Sequence, residues 1–305
     1  MFHIILNPMS SSGNGRKVFE KIEPILKERN IEYKLYETID ADSAKKFAGE
    51  ITCDDSNDIL IGIGGDGTMN EILNGIKDFS KVTMGYIPSG SGGDLAKGLN
   101  IPKDPIAALN IILNPKEYKM MDVCHMDNKE CSKNFSVSCS IGLDAAITHA
   151  ANVSPLKVTL NKYHLGKLIY LVTALQKLKA AEKASCTVIL DDVRKISFDH
   201  FFFVTTMNQK YEGGGFMFCP KATCDDGYID VCVAGNISKP NVLKLMPLAM
   251  KGKHTGDKGI NIYKAKKIQV IADKPLAIHT DGEYAGIQNE MTVTLCDKKI
   301  RMIVR

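Results

Sequence analysis

The chain has 305 residues, 44% of them apolar and 24% charged, with a formal net charge of +4. That length suits two domains at ~100–200 residues each, and the composition is ordinary for a soluble globular protein. Mild basicity without RGG runs, an RNA-binding signature or zinc spacing makes no case for a nucleic-acid partner. The nine cysteines are odd in number and form no C-x-x-C pair, so they read as small buried hydrophobes of a reducing compartment. The amino terminus "MFHIILNPMSSSGNGRK" lacks the basic and apolar regions of a signal peptide, and no apolar run reaches the ~18 residues that span a bilayer. The expectation is a cytoplasmic protein with at most peripheral membrane contact.

In chain order, "FHIIL" predicts a short strand, followed by a Gly/Ser loop and an amphipathic helix from Arg16 to Glu28. "IEYKLYE" alternates with period two, and Ala41–Glu50 reads as a helix. The strand "DILIGI", a helix over Met69–Ile76, the strand "VTMGYIP", a second glycine loop and a helix near Pro105–Leu113 complete the first part. Strands alternating with helices predict a doubly wound, mostly parallel sheet, with ligands beyond the carboxyl ends of its strands. After about Asp122, short strand-like runs dominate: "NFSVSCSIG", "CTVILDD", "FDHFFFVTTMN", "GYIDVCVAG", "INIYKAKKIQVIA", "PLAIHTDGE" and "EMTVTLCDKKIRMIVR". One helix interrupts them, Leu165 to about Ala181, with a core-type stripe of Leu165, Leu168, Ile169, Val172, Leu175 and Leu178. The division predicted is an α/β domain at 1–121 and a mostly β domain at 122–305, an antiparallel sandwich or barrel, with an interdomain cleft.

Chemistry concentrates in two glycine loops. "GIGGDG" matches the dinucleotide fingerprint through Gly62, Gly64 and Gly67, but the next strand lacks the acidic residue that fingerprint requires. No Walker A loop occurs either. Glycines let backbone approach phosphates, and the amides opening a helix favour negative charge. Asp66 would repel those phosphates unless a divalent cation such as Mg²⁺ lay between them; the plainer alternative is a cap on the Thr68–Glu71 amides. In "GYIPSGSGGDLAKGLNIP" a second glycine loop carries Asp94, and Asp122 ends the following strand-like run. Three carboxylates at strand ends suggest a metal–nucleotide site.

These segments resemble the diacylglycerol kinase family of lipid kinases, the bacterial soluble type related to sphingosine kinases. The family's G-G-D-G-T-x-N-E block is Gly64–Glu71, and its P-x-G-[ST]-x-N-D-[FL]-A block is Pro88–Ala96, with Gly93 where the family has Asn. The likeness continues through "SCSIGLDAAI", "KYHLGKLIYLVTAL", "YEGGGFMFCPKATCDDGYIDV" and "IHTDGEYAG". It implies a first domain similar to NAD kinases and phosphofructokinases and a β-sandwich second domain. It also implies ATP held by Asn7, Pro8, Met9, Ser10, Ser11 and Thr38, by Gly64, Gly65, Asp66, Gly67, Thr68, Met69, Asn70 and Glu71, and by Ser91 and Asp94. A water-linked Mg²⁺ network would involve Asp66, Asp94 and Asp122. A second, structural Mg²⁺ would sit near Asp226 with the carbonyls of Thr223 and Tyr228. Asp281 and Glu283 match the family's catalytic acidic pair.

Transfer of a γ-phosphoryl group needs positioning, charge stabilisation and a carboxylate to take the hydroxyl proton, and Asp281 is the candidate base, with Glu283 sharing or assisting. "TDGEY" also reads as an ordinary hairpin turn. Three readings stay open: an ATP- and Mg²⁺-dependent lipid kinase acting on diacylglycerol, a soluble-substrate kinase related to NAD kinase, and a non-catalytic nucleotide- or lipid-binding protein. The partners expected are the lipid substrate and an anionic membrane surface reached through Lys167, Lys177, Lys179, Lys251 and Lys253, with a homodimer left open.

Overall fold

The computed structural model describes residues 1–53, 58–154 and 166–305, and the side chains of 166–171 are also outside what it describes. Leu165, Leu168, Ile169 and the side chain of Lys167 therefore lie outside the described part of the expected helix stripe. The chain divides into two compact units.

The first unit comprises Met1–Val123, Cys224–Asp226 and Cys296–Arg305. Its apolar runs form β1 (Phe2–Leu6), β3 (Ile59–Gly64) and β4 (Thr83–Pro88), which pair in parallel, with β2 (Tyr33–Glu37) beside β1. Ile4, Ile5, Ile61, Ile63 and Ile87 are fully buried, as expected for central strands covered on both sides. The helices between them are α1 (Ser10–Glu28), α2 (Ser43–Ile51), α3 (Asp66–Gly75), α4 (Asp94–Gly98) and α5 (Pro105–Leu113). Asp104 starts α5 by accepting a hydrogen bond from the Ala107 amide, with Pro105 at its first position, where a missing N–H costs nothing. Before α1 settles into helix, Ser11, Ser12 and Gly13 take left-handed dihedrals. The expected start near Arg16 thus follows a tight left-handed turn.

The structure differs from a division at 121/122, since Asp122, Val123, Cys224–Asp226 and Cys296–Arg305 all belong to the first unit. "EMTVTLCDKKIRMIVR" is two strands, β14 (Glu283–Leu295) and β15 (Ile300–Ile303), broken at the polar turn around Asp297 and Lys298. β15 returns to the first sheet, parallel to β4 and antiparallel to β5 (Tyr118–Met121), giving the order β2-β1-β3-β4-β15-β5. Its buried Ile300 and Met302 flank exposed Arg301, the alternation that fits a strand beside β4.

The second unit, Cys124–Thr223 and Gly227–Leu295, is mostly antiparallel strand. It holds β6 (Cys124–Asp127), β7 (Ser132–Phe135), β8 (Ser138–Gly142), β9 (Ala184–Leu190), β10 (Arg194–Met207), β11 (Ile229–Gly235), β12 (Ile260–Ala265) and β13 (Lys267–Thr280), besides β14. The two 14-residue strands change partners along their length. β10 and β13 pair with β9 over their first halves and with β8 over their second, with register breaks at Phe198/Phe201 and Ile271/Leu276. Such irregularities let one strand serve two layers of a sandwich. Val188, Val204, Val231, Ile268, Val270 and Val293 fill the core.

Among the described residues, the helices α6 (Leu143–Asn152), α7 (Gly166–Ala180) and α8 (Lys239–Ala249) accompany these strands. In α7, Ala174 and Leu178 are buried while Val172 and Leu175 are 43% and 44% exposed, so two of the three described stripe residues face solvent rather than core.

Candidate active site

Parallel registration of β1, β3 and β4 places their carboxyl ends side by side, Leu6 opposite Ile63 and Gly64 opposite Pro88. The three following loops are then stitched together. Asn7 donates to the Thr68 hydroxyl at 2.9 Å, the Ser10 and Ser89 hydroxyls lie 2.6 Å apart, and Asn14 donates to the Ser89 carbonyl at 2.9 Å. The Ser89 amide donates to the Gly64 carbonyl at 2.8 Å. The two glycine loops touch through backbone: a Cβ on Gly90 would lie 2.5 Å from the Gly65 Cα. Asn7, Ser10, Gly64, Gly65 and Thr68 therefore converge as expected. Pro8 accepts the Arg16 amide, Met9 and Ser11 are exposed on the turn after β1, and Thr38 closes β2 by donating to the Leu6 carbonyl. Met69 and Asn70 are buried in α3 with Glu71 half-buried beside them, and Ser91 is exposed. Ser89 and Asn14, the residues that knit the loops, were not singled out from the sequence, although Ser89 lies inside the quoted block. A cavity of ≈ 460 Å³ adjoins the second loop, with Asn14, Ser89, Gly92, Gly93, Lys97 and Lys103 on its wall.

Asp66 does cap a helix, but not its own. Its Oδ2 accepts from the amides of Gly93 (2.9 Å) and Asp94 (3.2 Å), and Oδ1 from that of Leu95 (3.3 Å). The first glycine loop thus holds the start of α4 in the second. Gly93 sits at φ +71 with open space around its missing Cβ, a left-handed position that Asn also tolerates. The departure from the family pattern is therefore a substitution between two residues suited to one backbone conformation. Burial, then the charge of Asp94, push the Asp66 carboxyl up to about 6 against the pull of the three amides.

Asp122 keeps other company. Fully buried, it pairs with the Lys299 ammonium at 2.8 Å, and its amide donates to the Cys224 carbonyl. Lys299 also donates to the Asp225 carbonyl at 3.0 Å. Thr223, Asp226 and Tyr228 share the turn that follows Ala222, and Tyr228 is 42% exposed. The Lys299 ammonium supplies the positive partner of Asp122.

In the second unit, Asp281 is anchored rather than projecting. Its carboxylate accepts from the amides of Ser136 (3.0 Å), Val137 (2.8 Å) and Ser138 (3.0 Å) and from the Ser136 hydroxyl (3.2 Å). Glu283, two residues on, is exposed. Beside this turn, His279 Nε2 lies 3.1 Å from Asp144 and 2.9 Å from Glu212, and the Gly282 amide faces Nδ1 at 3.3 Å. Burial would lower the imidazole pKa, but hydrogen bonds to the two carboxylates and their charge raise it to about 10. Burial and Asp144 push Glu212 up to about 7. With the imidazole protonated, Nε2–H donates to both carboxylates and the three side chains share a proton. An apolar cavity of ≈ 290 Å³ lies in the same unit, walled by Leu143, Ile147, Phe203, Phe216, Leu245 and Met250, with Asp144, Thr148 and His254 as polar members. The triad residues were missed because no motif spacing links positions 144, 212 and 279.

Comparison with known proteins agrees with this geometry. Residues 1–126 match the model of the diacylglycerol kinase catalytic domain, and 137–303 that of the YegS C-terminal NAD kinase beta sandwich-like domain. A Bacillus subtilis (strain 168) protein named "Putative lipid kinase YtlR" is 27% identical over 92% of this chain and 93% of its own. A "Diacylglycerol kinase" of Staphylococcus epidermidis is 26% identical over 93% of this chain and 85% of its own. In fold, the chain is similar to a "putative diacylglycerol kinase" from Bacillus anthracis str. Sterne, with a TM-score of 0.77 at 23% identity, covering 100% and 97% of the two chains. An NAD kinase from Archaeoglobus fulgidus, solved with ATP, aligns at a TM-score of 0.52 and 16% identity over 99% and 93%. With matched glycine loops in one unit and a matched β-sandwich in the other, the chain belongs to the diacylglycerol kinase family of lipid kinases.

Proposed function

We propose that this protein transfers the γ-phosphoryl group of ATP to a lipid hydroxyl in a Mg²⁺-dependent reaction, with diacylglycerol as acceptor and phosphatidic acid as product. The observation that carries the reading is the backbone contact between Gly65 and Gly90, which lays two glycine loops together at the ends of adjacent parallel strands. Their amides and the start of α3 suit phosphate oxygens. The donor set fits a divalent cation: half-buried Asp66 and buried Asp94 are two carboxylates whose mutual repulsion a cation would relieve. Bound there with ATP, Mg²⁺ would neutralise charge on the transferring phosphoryl group. Asp66 keeps α4 in place through Gly93–Leu95, and its carboxylate would also help hold such an ion.

For the acceptor, the geometry divides the acidic pair. Asp281 has four donors from Ser136–Ser138 and sets the turn, whereas exposed Glu283 is the carboxylate suited to receive the hydroxyl proton. The ≈ 290 Å³ apolar cavity is near the low end of the ~300–1,000 Å³ range of ligand pockets and suits an acyl chain. A soluble phosphoryl acceptor would leave it without an occupant. Membrane contact would be peripheral, through exposed Val172, Leu175 and Met250 with Lys177, Lys179, Lys251 and Lys253 nearby in sequence. Among the described residues no helix is long and apolar enough to cross a membrane. The test of the acceptor assignment is Ala249→Phe, which fills the apolar cavity from α8. Lipid turnover should fall while ATP affinity stays unchanged; unchanged turnover on long-chain diacylglycerol would reject the cavity as the chain site.

A further inference from the structure

Helix α6 touches both the apolar cavity and the acidic turn. Leu143, Asp144, Ile147 and Thr148 line the cavity. From the same helix, Asn152 donates to the Gly282 carbonyl at 2.8 Å, and the His149 ring lies 4.7 Å from that of Tyr284. A Cβ on Gly282 would meet the Thr148 methyl at 3.9 Å, so the turn runs alongside the helix. At the amino end of α6, Asp144 reaches His279, whose Nδ1 faces the Gly282 amide. Gly282 thus abuts the His279 ring at the centre of the Asp144–His279–Glu212 group, and its carbonyl accepts from Asn152. Asp144 and Thr148 belong to the cavity wall and to these surroundings of the turn at once.

We propose that α6 is a positioning strut through which a lipid chain lodged in the apolar cavity fixes the Asp281–Gly282–Glu283 turn. Asn152, His149 and the buried triad act through that turn and are positioning residues, not groups that touch the reacting atoms. The proposal rests on the lipid-kinase reading for its catalytic consequence, but the mechanical link stands on this unit alone. A chain against Leu143 and Ile147 stops α6 from shifting, and a fixed α6 leaves Glu283 one location. Small displacements matter here, since a misplacement of ~1 Å can cost ~100-fold in rate.

The decisive variant is Asn152→Leu, similar in size but without the donor, with Asn152→Gln restoring one. On dioleoylglycerol, Asn152→Leu should lower kcat about tenfold or more while the lipid KM and ATP affinity change little, the signature of lost positioning. Asn152→Gln should recover part of that loss. With dihexanoylglycerol, whose chains fill the cavity poorly, wild type and Asn152→Leu should differ much less. A second arm needs no turnover: deuterium exchange of amides 282–286 is followed with and without oleyl alcohol. The alcohol should protect these amides in the wild type and not in Asn152→Leu. Equal protection in both proteins, or no protection in the wild type, overturns the strut. A wild type that phosphorylates no lipid would refute the functional reading instead, and the exchange arm would still decide this one.

Discussion

Asp66 serves two purposes in this account, and two substitutions separate them. Burial and Asp94 raise its pKa from 3.8 to about 6, so holding it ionised at neutral pH costs ~3 kcal/mol. Asp66→Asn removes that charge yet keeps an oxygen for the Gly93 and Asp94 amides, giving up the longer contact to Leu95 worth ~1 kcal/mol. Its folded state should be at least as stable as the wild type. Asp66→Ala also sheds the charge but leaves those two further buried amides unpaired, at ~1–3 kcal/mol each, placing it ~2–6 kcal/mol below Asp66→Asn. For a unit of this size that separates the two melting temperatures by at least ~4 °C. Turnover should fall in both, because neither can hold a cation. The assay is thermal melting at pH 7.5 alongside label transfer at saturating Mg²⁺. Equal melting temperatures for the two variants would refute the cap. Near-normal turnover in Asp66→Asn would refute the need for a charge at this position.

Gly93→Asn should fold and turn over like the wild type, because φ +71 is open to Asn and no atom lies within 4 Å of its Cβ, whereas Gly93→Val should lose ~1–2 kcal/mol in a denaturation series. Gly90→Ala places a Cβ 2.5 Å from the Gly65 Cα, so the loops must part; turnover should drop ~100-fold, and a normal rate would show that their contact is dispensable. The triad makes stability fall with rising pH. Glu212 is raised from 4.5 to about 7 and His279 from 6.5 to about 10, so each contributes stability that is present below its ordinary pKa and lost as pH climbs through the raised one. Melting temperature should decline between pH 7 and 10 more steeply in the wild type than in His279→Gln, and parallel curves would contradict the charge-sharing arrangement.

What could be read in advance follows from where the information lies along the chain. The strands "FHIIL", "DILIGI" and "VTMGYIP" are continuous apolar runs between turns, and the structure forms β1, β3 and β4 from them. The helix expected at Pro105–Leu113 has its Asp104 cap and Pro105 start written in sequence, and its bounds agree. Helices α6 and α8 were not anticipated: "LDAAITHAAN" follows a buried strand without a break, and "KPNVLKLMPLA" carries Pro247 inside it. The partner of Asp66 was hidden for a related reason. A helix start offers its own amides to a nearby carboxylate, and only the register of β3 against β4 shows that the amides 27 to 29 residues ahead are closer. Asp281 and Glu283 are equal as letters; it takes the Ser136–Ser138 turn, some 145 residues upstream, to tell the anchored carboxylate from the exposed one. The carboxyl-terminal run shows the same limit, since period-two alternation continues through Ile300–Ile303 while the chain has already moved to another sheet.

The central claim is that this chain moves a phosphoryl group from ATP to a lipid hydroxyl with Glu283 as the receiving base. The most direct measurement is transfer of label from γ-labelled ATP into dioleoylglycerol in mixed micelles with Mg²⁺, run on the wild type and on Glu283→Gln, with nucleotide titrations of both. The account predicts labelled phosphatidic acid from the wild type, a loss of ~10²–10⁴-fold in kcat for Glu283→Gln, and equal ATP affinities. No labelled lipid from the wild type, or a Glu283→Gln variant that keeps its turnover, would contradict it.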